Sequence, residues 1–236
     1  MARAALTLGF TGLALLHAGP AASWLPVVRR RLPGLAGVGH AGHVALTFDD
    51  GPDPRSTPLF LDELRRLGCR ATFFLLGDML RRHPELGRRI AAEGHEVAVH
   101  GWGHRNSLVT RPGRVTAEVA RAADLVAAVT GTEPVWYRPP YGVLSAEALA
   151  AARRRGLRPV LWTAWGKDWT RTATPASVLA TLAPGIRGGA TVLLHDSDCT
   201  SAPGSWRAAL GALPDVVARC ADLGLRVGPL REHGVR

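Results

Sequence analysis

The chain has 236 residues, of which 47% are apolar and 20% charged, so it can bury a sizeable core and is not intrinsically disordered. Its formal net charge of +10 favours anionic partners. The arginines, however, lie mostly on predicted helix faces, and the sequence has no stripe of alternating basic and aromatic residues of the kind that favours nucleic-acid binding. The three cysteines show no CxxC spacing, which supports neither a zinc ribbon nor a disulfide framework and leaves open free thiols or one disulfide.

The N-terminus admits three interpretations. Residues 4–16 are apolar, but Pro20 interrupts the run before an arginine cluster at 29–31. The segment is a weak signal peptide, a short and broken membrane span, or a peripheral helix packed on the main domain. We expect an exported or membrane-associated protein, with a cytoplasmic location still open. We divide the chain into an N-terminal apolar and basic segment, 1–40, and a main domain, 41–236.

From residue 44 onward, short apolar runs alternate with amphipathic helical stretches. The runs are rich in Val, Leu, Phe and Trp and show little polar alternation, which is typical of strands buried on both faces of a sheet. We predict seven strands, at residues 44–48, 71–76, 96–100, 135–138, 159–163, 191–195 and 225–228.

Capping residues predict where the helices between these strands begin. The predicted starts are Ser56, Thr110, Ser145 and Thr174. Residues 79–93 are predicted to be helical except at Pro84, and Pro214 is predicted to interrupt the last helix. The alternation of strands and helices implies a parallel sheet, open or closed into a barrel. In such folds, function gathers at the C-terminal ends of the strands.

Polar residues fall at the C-terminal ends of five predicted strands. They are Asp49 and Asp50, His100, Arg138, Asp168 and His195. A further histidine, His104, follows four positions after His100, and the glycines between them predict a loop. An Asp with two histidines is a suitable ligand set for Zn²⁺ or a similar ion. The HxxxH spacing alone is a weak indication of a metal site, and the Asp pair at the end of the first predicted strand strengthens it.

Five short motifs occur in order along the main domain. They are TFDDGP at 47–52, HxxxH at 100–104, RPPYG at 138–142, KDW at 167–169 and LLHD at 193–196. In these motifs the chain resembles the polysaccharide deacetylase family, carbohydrate esterase family 4, which is also called the NodB-homology domain. The resemblance implies an α/β fold of the NodB-homology type, a distorted (β/α) barrel, here with about seven parallel strands.

The resemblance also implies a hydrolase that removes N-acetyl groups from a carbohydrate and uses a divalent metal ion, Zn²⁺ first and Co²⁺ second. The implied metal ligands are Asp50, His100 and His104. Asp49 would be the general base that takes a proton from water, and Arg138 would hold and tune Asp49.

The remaining implied roles concern the substrate. The backbone N–H of Tyr141 would stabilise the oxyanion together with the metal. His195 would be the general acid that protonates the departing amine, oriented by Asp168. Substrate contacts are implied for Trp169, Leu193 and Pro140, of which the first two would wall the pocket for the acetyl methyl group.

Two positions depart from the family pattern. The family often has Ser or Thr after the first metal histidine, where this chain has Gly101, so Trp102 or the backbone must steady that loop. The fourth motif usually begins with Asp, where this chain has Trp165. We expect these departures to change the substrate groove and not the reaction. Asp198 would contact substrate or cap its own loop.

Three functions remain open on the sequence alone. The leading one is a carbohydrate N-deacetylase, and the same site could cleave O-acetyl esters. A non-catalytic carbohydrate-binding relative and a basic membrane- or nucleic-acid-associated protein are the others. The expected partner is an N-acetylated glycan or amino sugar, with no nucleic acid. We also expect a monomer, with membrane association through the N-terminal segment as an option.

Overall fold

The computed structural model describes residues 15–235. The apolar run at 4–16, on which the prediction of export or membrane association rests, lies almost entirely outside these residues. Within the described residues, no helix combines the length and the apolar character needed to cross a bilayer. Cys69, Cys199 and Cys220 are free thiols.

Eight parallel strands form one sheet. They are β1 (His43–Asp49), β2 (Thr72–Leu75), β3 (Glu96–Val99), β4 (Trp136–Tyr137), β5 (Arg158–Pro159), β6 (Ala164–Trp165), β7 (Thr191–His195) and β8 (Arg226–Gly228). The hydrogen-bonded order is β5-β4-β3-β2-β1-β7-β6, and β8 pairs with the start of β1. The predicted α/β fold with a parallel sheet is confirmed.

The predicted strand at 159–163 is wrong in one respect, because it is split between β5 and β6 at opposite ends of the sheet. The N–H of Val160 donates to the carbonyl of Tyr137 beside β5, and the N–H of Thr163 donates to the carbonyl of Thr191 beside β6, both at 3.0 Å. One short segment thus joins the two ends of the sheet. The sheet therefore curls into a distorted, incompletely closed barrel, as predicted.

The N-terminal segment packs where the two ends of the sheet meet. It contains the short helices α1 (Pro26–Arg30) and α2 (Pro33–Ala36). The carbonyl of Leu35 accepts the N–H of Leu161 at 2.7 Å, and the carbonyl of Gly37 accepts the Thr191 hydroxyl at 2.6 Å. These bonds hold the segment across the opening of the barrel, while a domain boundary at residue 40 stays a prediction.

Longer helices surround the sheet. They are α3 (Thr57–Arg66), α4 (Gly77–Arg82), α5 (Pro84–Ala92), α6 (Arg114–Thr130), α7 (Ala146–Arg154), α8 (Pro175–Leu182) and α9 (Trp206–Asp222). Their buried faces are apolar, and with the strands they form the main core.

Two predicted helix starts are confirmed by their caps. Ser145 Oγ accepts a backbone N–H in the first turn of α7, and Thr174 with Ser177 forms a capping box at α8. At α3, in contrast, Ser56 Oγ donates to the carbonyl of Asp196 at 2.5 Å. The start of α3 is therefore tied to the loop after β7 instead of being capped by its own serine.

Proline ends a helix at one predicted position and not at another. Residues 79–93 form two helices, and Pro84 is the first residue of α5. Helix α9 runs through Pro214 without a break, because its buried apolar face holds it against the core although one backbone hydrogen bond is lost. Helix α6 begins at Arg114, later than the predicted start at Thr110.

The centre of the sheet positions the functional residues. Every residue of β1 is buried, as predicted for a strand covered on both faces. The register places Asp49 beside Phe74 of β2 and His195 of β7. Since parallel strands end at the same edge of a sheet, the side chains that follow them converge there.

Candidate active site

The polar residues predicted at the strand ends meet around one cavity of about 320 Å³. The predicted residues that line it are Asp49, Asp50, His100, His104, Tyr141, Trp169, Leu193 and His195. Arg138 and Asp168 lie behind this lining and are buried. Pro140, predicted to contact substrate, is buried against Gly101 and does not line the cavity.

Asp50, His100 and His104 form a compact set of potential metal ligands. One ligand atom of each lies within 4.8 Å of the others, and Asp50 Oδ1 is 3.4 Å from the Nε2 atoms of both histidines. Among the described residues, this buried oxygen has no hydrogen-bond partner. Such an oxygen is costly unless a cation binds it. Because Asp with two His suits Zn²⁺ and related ions, the residues present fit a divalent metal ion.

Burial and neighbouring charges set the protonation of this cluster. Burial raises the pKa of Asp50, but the nearby rings of His100, His104 and His195 lower that pKa well below its usual range. Burial lowers the pKa of His104 to about 4, so its ring is neutral near pH 7 and can donate a lone pair. Burial lowers the pKa of His100, but Asp49 and Asp50 raise it by more, so protonation and metal binding compete at this ring.

The backbone fixes the orientation of these groups. His100 Nδ1–H donates to the carbonyl of Arg138 at 2.8 Å, which leaves Nε2 facing Asp50. Asp50, His104 and Tyr141 have left-handed φ angles of 80°, 55° and 60°, each of which costs a non-glycine residue on the order of 1–3 kcal/mol. Strained backbone at three neighbouring positions of one cavity is typical of a functional site.

Arg138 holds Asp49 from beneath the cavity. Its Nη1 donates to Asp49 Oδ1 at 2.7 Å and to Thr47 Oγ1 at 2.8 Å, and its Nη2 donates to the carbonyl of Leu161 at 2.9 Å. The other carboxylate oxygen, Asp49 Oδ2, lies 3.7 Å from His100 Nε2. One oxygen of Asp49 is thus anchored, while the other stays beside the metal ligands.

His195, at the end of β7, is oriented by Asp168. The Asp168 carboxylate accepts the Nδ1–H of His195 at 3.0 Å and its backbone N–H at 2.7 Å. Burial lowers the pKa of His195, but the carboxylates of Asp168, Asp50 and Asp49 raise it to about 10. The ring is therefore protonated near neutral pH, with Nε2 left to act in the cavity.

Tyr141 lines the cavity beside His104, one of the potential metal ligands. Its N–H donates to no other group in residues 15–235. The side chain is 53% exposed, and its ring centroid lies 4.5 Å from that of His104. A backbone N–H without a partner at the edge of a cavity can stabilise an oxyanion.

The order of the motifs and this geometry agree with a known family. The family model for polysaccharide deacetylase matches residues 36–160. The chain belongs to the polysaccharide deacetylase family. It is 36% identical over 184 residues to a chitooligosaccharide deacetylase of Rhizobium leguminosarum bv. trifolii, a match that covers 78% of this chain and 79% of the relative.

Two further comparisons extend the match. A peptidoglycan-N-acetylglucosamine deacetylase of Bacillus cereus is 30% identical over 210 residues, covering 86% of this chain and 73% of the relative. A solved structure of a peptidoglycan N-acetylglucosamine deacetylase superposes with a TM-score of 0.80 at 27% identity, covering 89% of this chain and 97% of that one. The predicted family is confirmed, and the protein is a carbohydrate deacetylase, as predicted.

In this polysaccharide deacetylase, the backbone and Trp102 steady the loop that contains Gly101. The carbonyls of Gly101 and Trp102 accept the N–H groups of Gly77 and Asp78, each at 2.9 Å. The Trp102 ring packs against Gly77, and the guanidinium of Arg121 lies 3.6 Å from its centre. The hydroxyl that is absent at position 101 is thus replaced by contacts of the next residue.

The second departure, Trp165, is part of an aromatic wall of the deacetylase cavity. Its ring stacks on that of Trp162 at 5.7 Å and meets that of Trp169 edge to face at 5.0 Å. Trp24 of the N-terminal segment completes the wall. Among these tryptophans, the motifs indicate Trp169 and Trp165, whereas Trp24 lies far along the chain and matches no motif.

Thr200 is a second site residue that the sequence does not reveal. Its hydroxyl donates to Asp50 Oδ2 at 2.5 Å and so orients the predicted metal ligand. Thr200 lies in an irregular loop after β7, where no local pattern marks it. Asp198, in the same loop, accepts the N–H of Gly204 at 2.6 Å and pairs with Arg55 at 2.7 Å. Asp198 therefore caps its loop and does not line the cavity.

Proposed function

We propose that this protein is a metal-dependent hydrolase that removes N-acetyl groups from N-acetylglucosamine units of an oligosaccharide or polysaccharide. The observation that carries the proposal is the convergence of two adjacent carboxylates with separate partners. Asp50 faces His100 and His104, while Asp49 is paired with Arg138. One carboxylate can thus bind a cation while the other remains available as a base.

Asp50, His100 and His104 would hold the ion, most suitably Zn²⁺ and alternatively Co²⁺. When bound, a divalent cation polarises the acetyl carbonyl and makes water easier to deprotonate. The three ligands lie in the loops that follow β1 and β3. Three protein ligands leave room for substrate and water, as a catalytic site requires.

Thr200→Val is expected to weaken zinc binding by about 10- to 100-fold, the usual effect of removing a group that orients a metal ligand. The substitution keeps the shape of the side chain but removes the hydrogen bond to Asp50. Zinc affinity is measured by competition with a chromogenic chelator. Thr181→Val is the matched control, since that hydroxyl bonds only within α8. An unchanged affinity of Thr200→Val would show that Asp50 needs no such support.

Asp49 is the proposed general base. Its Oδ1 is fixed by Arg138, so its Oδ2 can accept a proton from the attacking water without the carboxylate turning away. A fixed geometry lowers the cost of reaching the transition state. The backbone N–H of Tyr141 supports the developing oxyanion, a contribution on the order of 10²–10³ in rate for one donor.

His195 is the proposed general acid for the departing amine. An amine leaves readily only once it is protonated, and a positioned acid contributes about 10²- to 10⁴-fold. Asp168 holds the ring through Nδ1, so Nε2 delivers the proton. A cation at Asp50 offsets the two active-site carboxylates, which leaves Asp168 as the main group that raises the pKa of His195.

Asp168→Asn is expected to lower kcat and to move the basic limb of the pH profile of kcat/KM to lower pH. The neutral amide no longer raises the pKa of His195, and the acid acts only below that pKa, so the protonated form is lost earlier as pH rises. The profile is measured by acetate release from pH 6 to about pH 10. Asp78→Asn, on the surface of α4, serves as the control, and a basic limb that stays in place would contradict the assignment of His195.

The names of the relatives support N-acetylglucosamine as the sugar, since they are chitooligosaccharide and peptidoglycan-N-acetylglucosamine deacetylases. The test is acetate release by the zinc-loaded protein from N-acetylglucosamine oligomers, peptidoglycan fragments and acetylated xylan. We expect release from one or both of the first two. A clear preference for acetylated xylan would make the protein an esterase. No release from any of them would favour a non-catalytic carbohydrate-binding protein.

A further inference from the structure

We propose that Trp24, from the N-terminal segment, is a substrate-binding residue that stacks on a sugar ring next to the reacting N-acetyl sugar. The enzyme would therefore prefer oligosaccharides to a single sugar. This inference rests on the proposed function and adds a residue that lies outside the matched family region, 36–160. Its basis is the position of Trp24 in the cavity wall.

A continuous series of rings connects the catalytic centre to Trp24. The ring of Trp169 lies 5.8 Å from that of His195 and 5.0 Å from that of Trp165. The ring of Trp24 lies 6.0 Å from Trp165 and 6.0 Å from Trp162. The aromatic wall thus runs from the proposed general acid to the partly exposed ring of Trp24.

Trp24 is held in place before any substrate arrives. The guanidinium of Arg29 lies 5.4 Å from the Trp24 ring and 5.5 Å from the Trp162 ring, and its Nε donates to the carbonyl of Ser23 at 3.0 Å. Leu35 fixes the same segment to the sheet. A ring that is already ordered loses little entropy when a ligand binds to it.

The exposure of Trp24 distinguishes it from a core residue. Trp162 is 6% exposed, whereas Trp24 is 39% exposed and lines the cavity. The C–H groups on one face of a pyranose ring form an apolar surface that packs on an indole. An aromatic ring at the rim of a polar active site is therefore suited to a sugar ring.

The size of the cavity agrees with an occupant larger than an acetyl group. Its volume of about 320 Å³ lies in the range of sites for whole small molecules. The pocket for the acetyl methyl group, between Trp169 and Leu193, would take up only one end of the cavity. Trp24, Trp162 and Trp165 bound space beyond it, which an acetyl group or a single amide would leave empty.

A purely structural role is the alternative, in which Trp24 only anchors the N-terminal segment. Trp24→Leu and Trp24→Phe separate the two roles, because both keep an apolar side chain in the cluster and only Phe keeps an aromatic face. Leu25→Ala is the control in the same segment, since Leu25 is 55% exposed and does not line the cavity.

The experiment compares acetate release by the zinc-loaded full-length chain and its variants, using N-acetylglucosamine and its tetramer, with the melting temperature of each protein. We expect Trp24→Leu to raise KM for the tetramer by about 2- to 10-fold, the effect of one lost aromatic contact. Activity on the monosaccharide should change little. Trp24→Phe should keep most of the preference for the tetramer, and Leu25→Ala all of it.

Three results would overturn the inference. The first is an unchanged KM for the tetramer in Trp24→Leu with a fully active enzyme. The second is an equal loss on both substrates in Trp24→Leu and Trp24→Phe together with a lower melting temperature, which indicates anchoring alone. The third is a wild-type enzyme that releases no acetate from either substrate, which contradicts the proposed function itself and removes the basis of the inference.

Discussion

Asp49→Asn is expected to lower kcat for acetate release by about 10²- to 10⁴-fold, the contribution of a general base, while zinc content stays at the wild-type value. The amide is similar in size to the carboxylate and can still contact Arg138, but it cannot accept a proton from water. Because the proposed metal ligands are Asp50, His100 and His104, the substitution should leave the metal in place. Steady-state kinetics and metal analysis on the same preparation measure both effects.

Asp62→Asn is the matched control for this experiment. Asp62 is an exposed carboxylate of α3 that pairs with Arg65 and Arg89, so its loss should leave kcat unchanged. Wild-type activity in Asp49→Asn would show that another group accepts the proton. Loss of zinc from Asp49→Asn would show instead that the two adjacent carboxylates act together as ligands.

Arg138→Met is expected to destabilise the fold by about 3–5 kcal/mol, the usual effect of leaving one partner of a buried ion pair alone. Arg138 is fully buried, and Asp49 is 3% exposed. The substitution also removes the donors to Thr47 and to the carbonyl of Leu161. Urea denaturation measures the change in the free energy of unfolding. An unchanged slope of this free energy against urea concentration indicates that the transition remains two-state.

The double variant Arg138→Met with Asp49→Asn identifies the cause of this loss. If the uncompensated charge of Asp49 dominates, the double variant should be more stable than Arg138→Met alone. Arg155→Met is the surface control, because its pair with Asp124 is solvent-exposed and should change stability by less than about 1 kcal/mol. If the single and double variants are equally stable, the loss of stability comes from the missing contacts with Thr47 and the carbonyl of Leu161 and not from the unpaired charge of Asp49.

The arrangement of the site follows from the sequence to a large extent. Asp49 and Asp50 lie at the end of an apolar run, and His100 and His195 also lie at the ends of buried strands. Parallel strands end at one edge of a sheet, so the strand predictions alone bring these side chains together. Correct strand ends are enough to predict that these side chains meet, even though the predicted strand at 159–163 is divided in the structure.

The outer part of the cavity could not be predicted in this way. Trp24 reaches it through contacts with Trp162 and Trp165, which are far away in the sequence, and no local pattern indicates such contacts. Thr200 lies in an irregular loop whose path is set by hydrogen bonds such as that between Asp198 and Gly204. Positions fixed by tertiary contacts leave no periodic signal in the chain.

The most direct test of a metal-dependent deacetylase is acetate release from tetra-N-acetylchitotetraose by metal-free protein during titration with Zn²⁺. We expect no measurable release before zinc is added, and a rise that levels off at about one zinc ion per chain, because Asp50, His100 and His104 form one ligand set. Full acetate release by the metal-free protein would contradict the proposed mechanism.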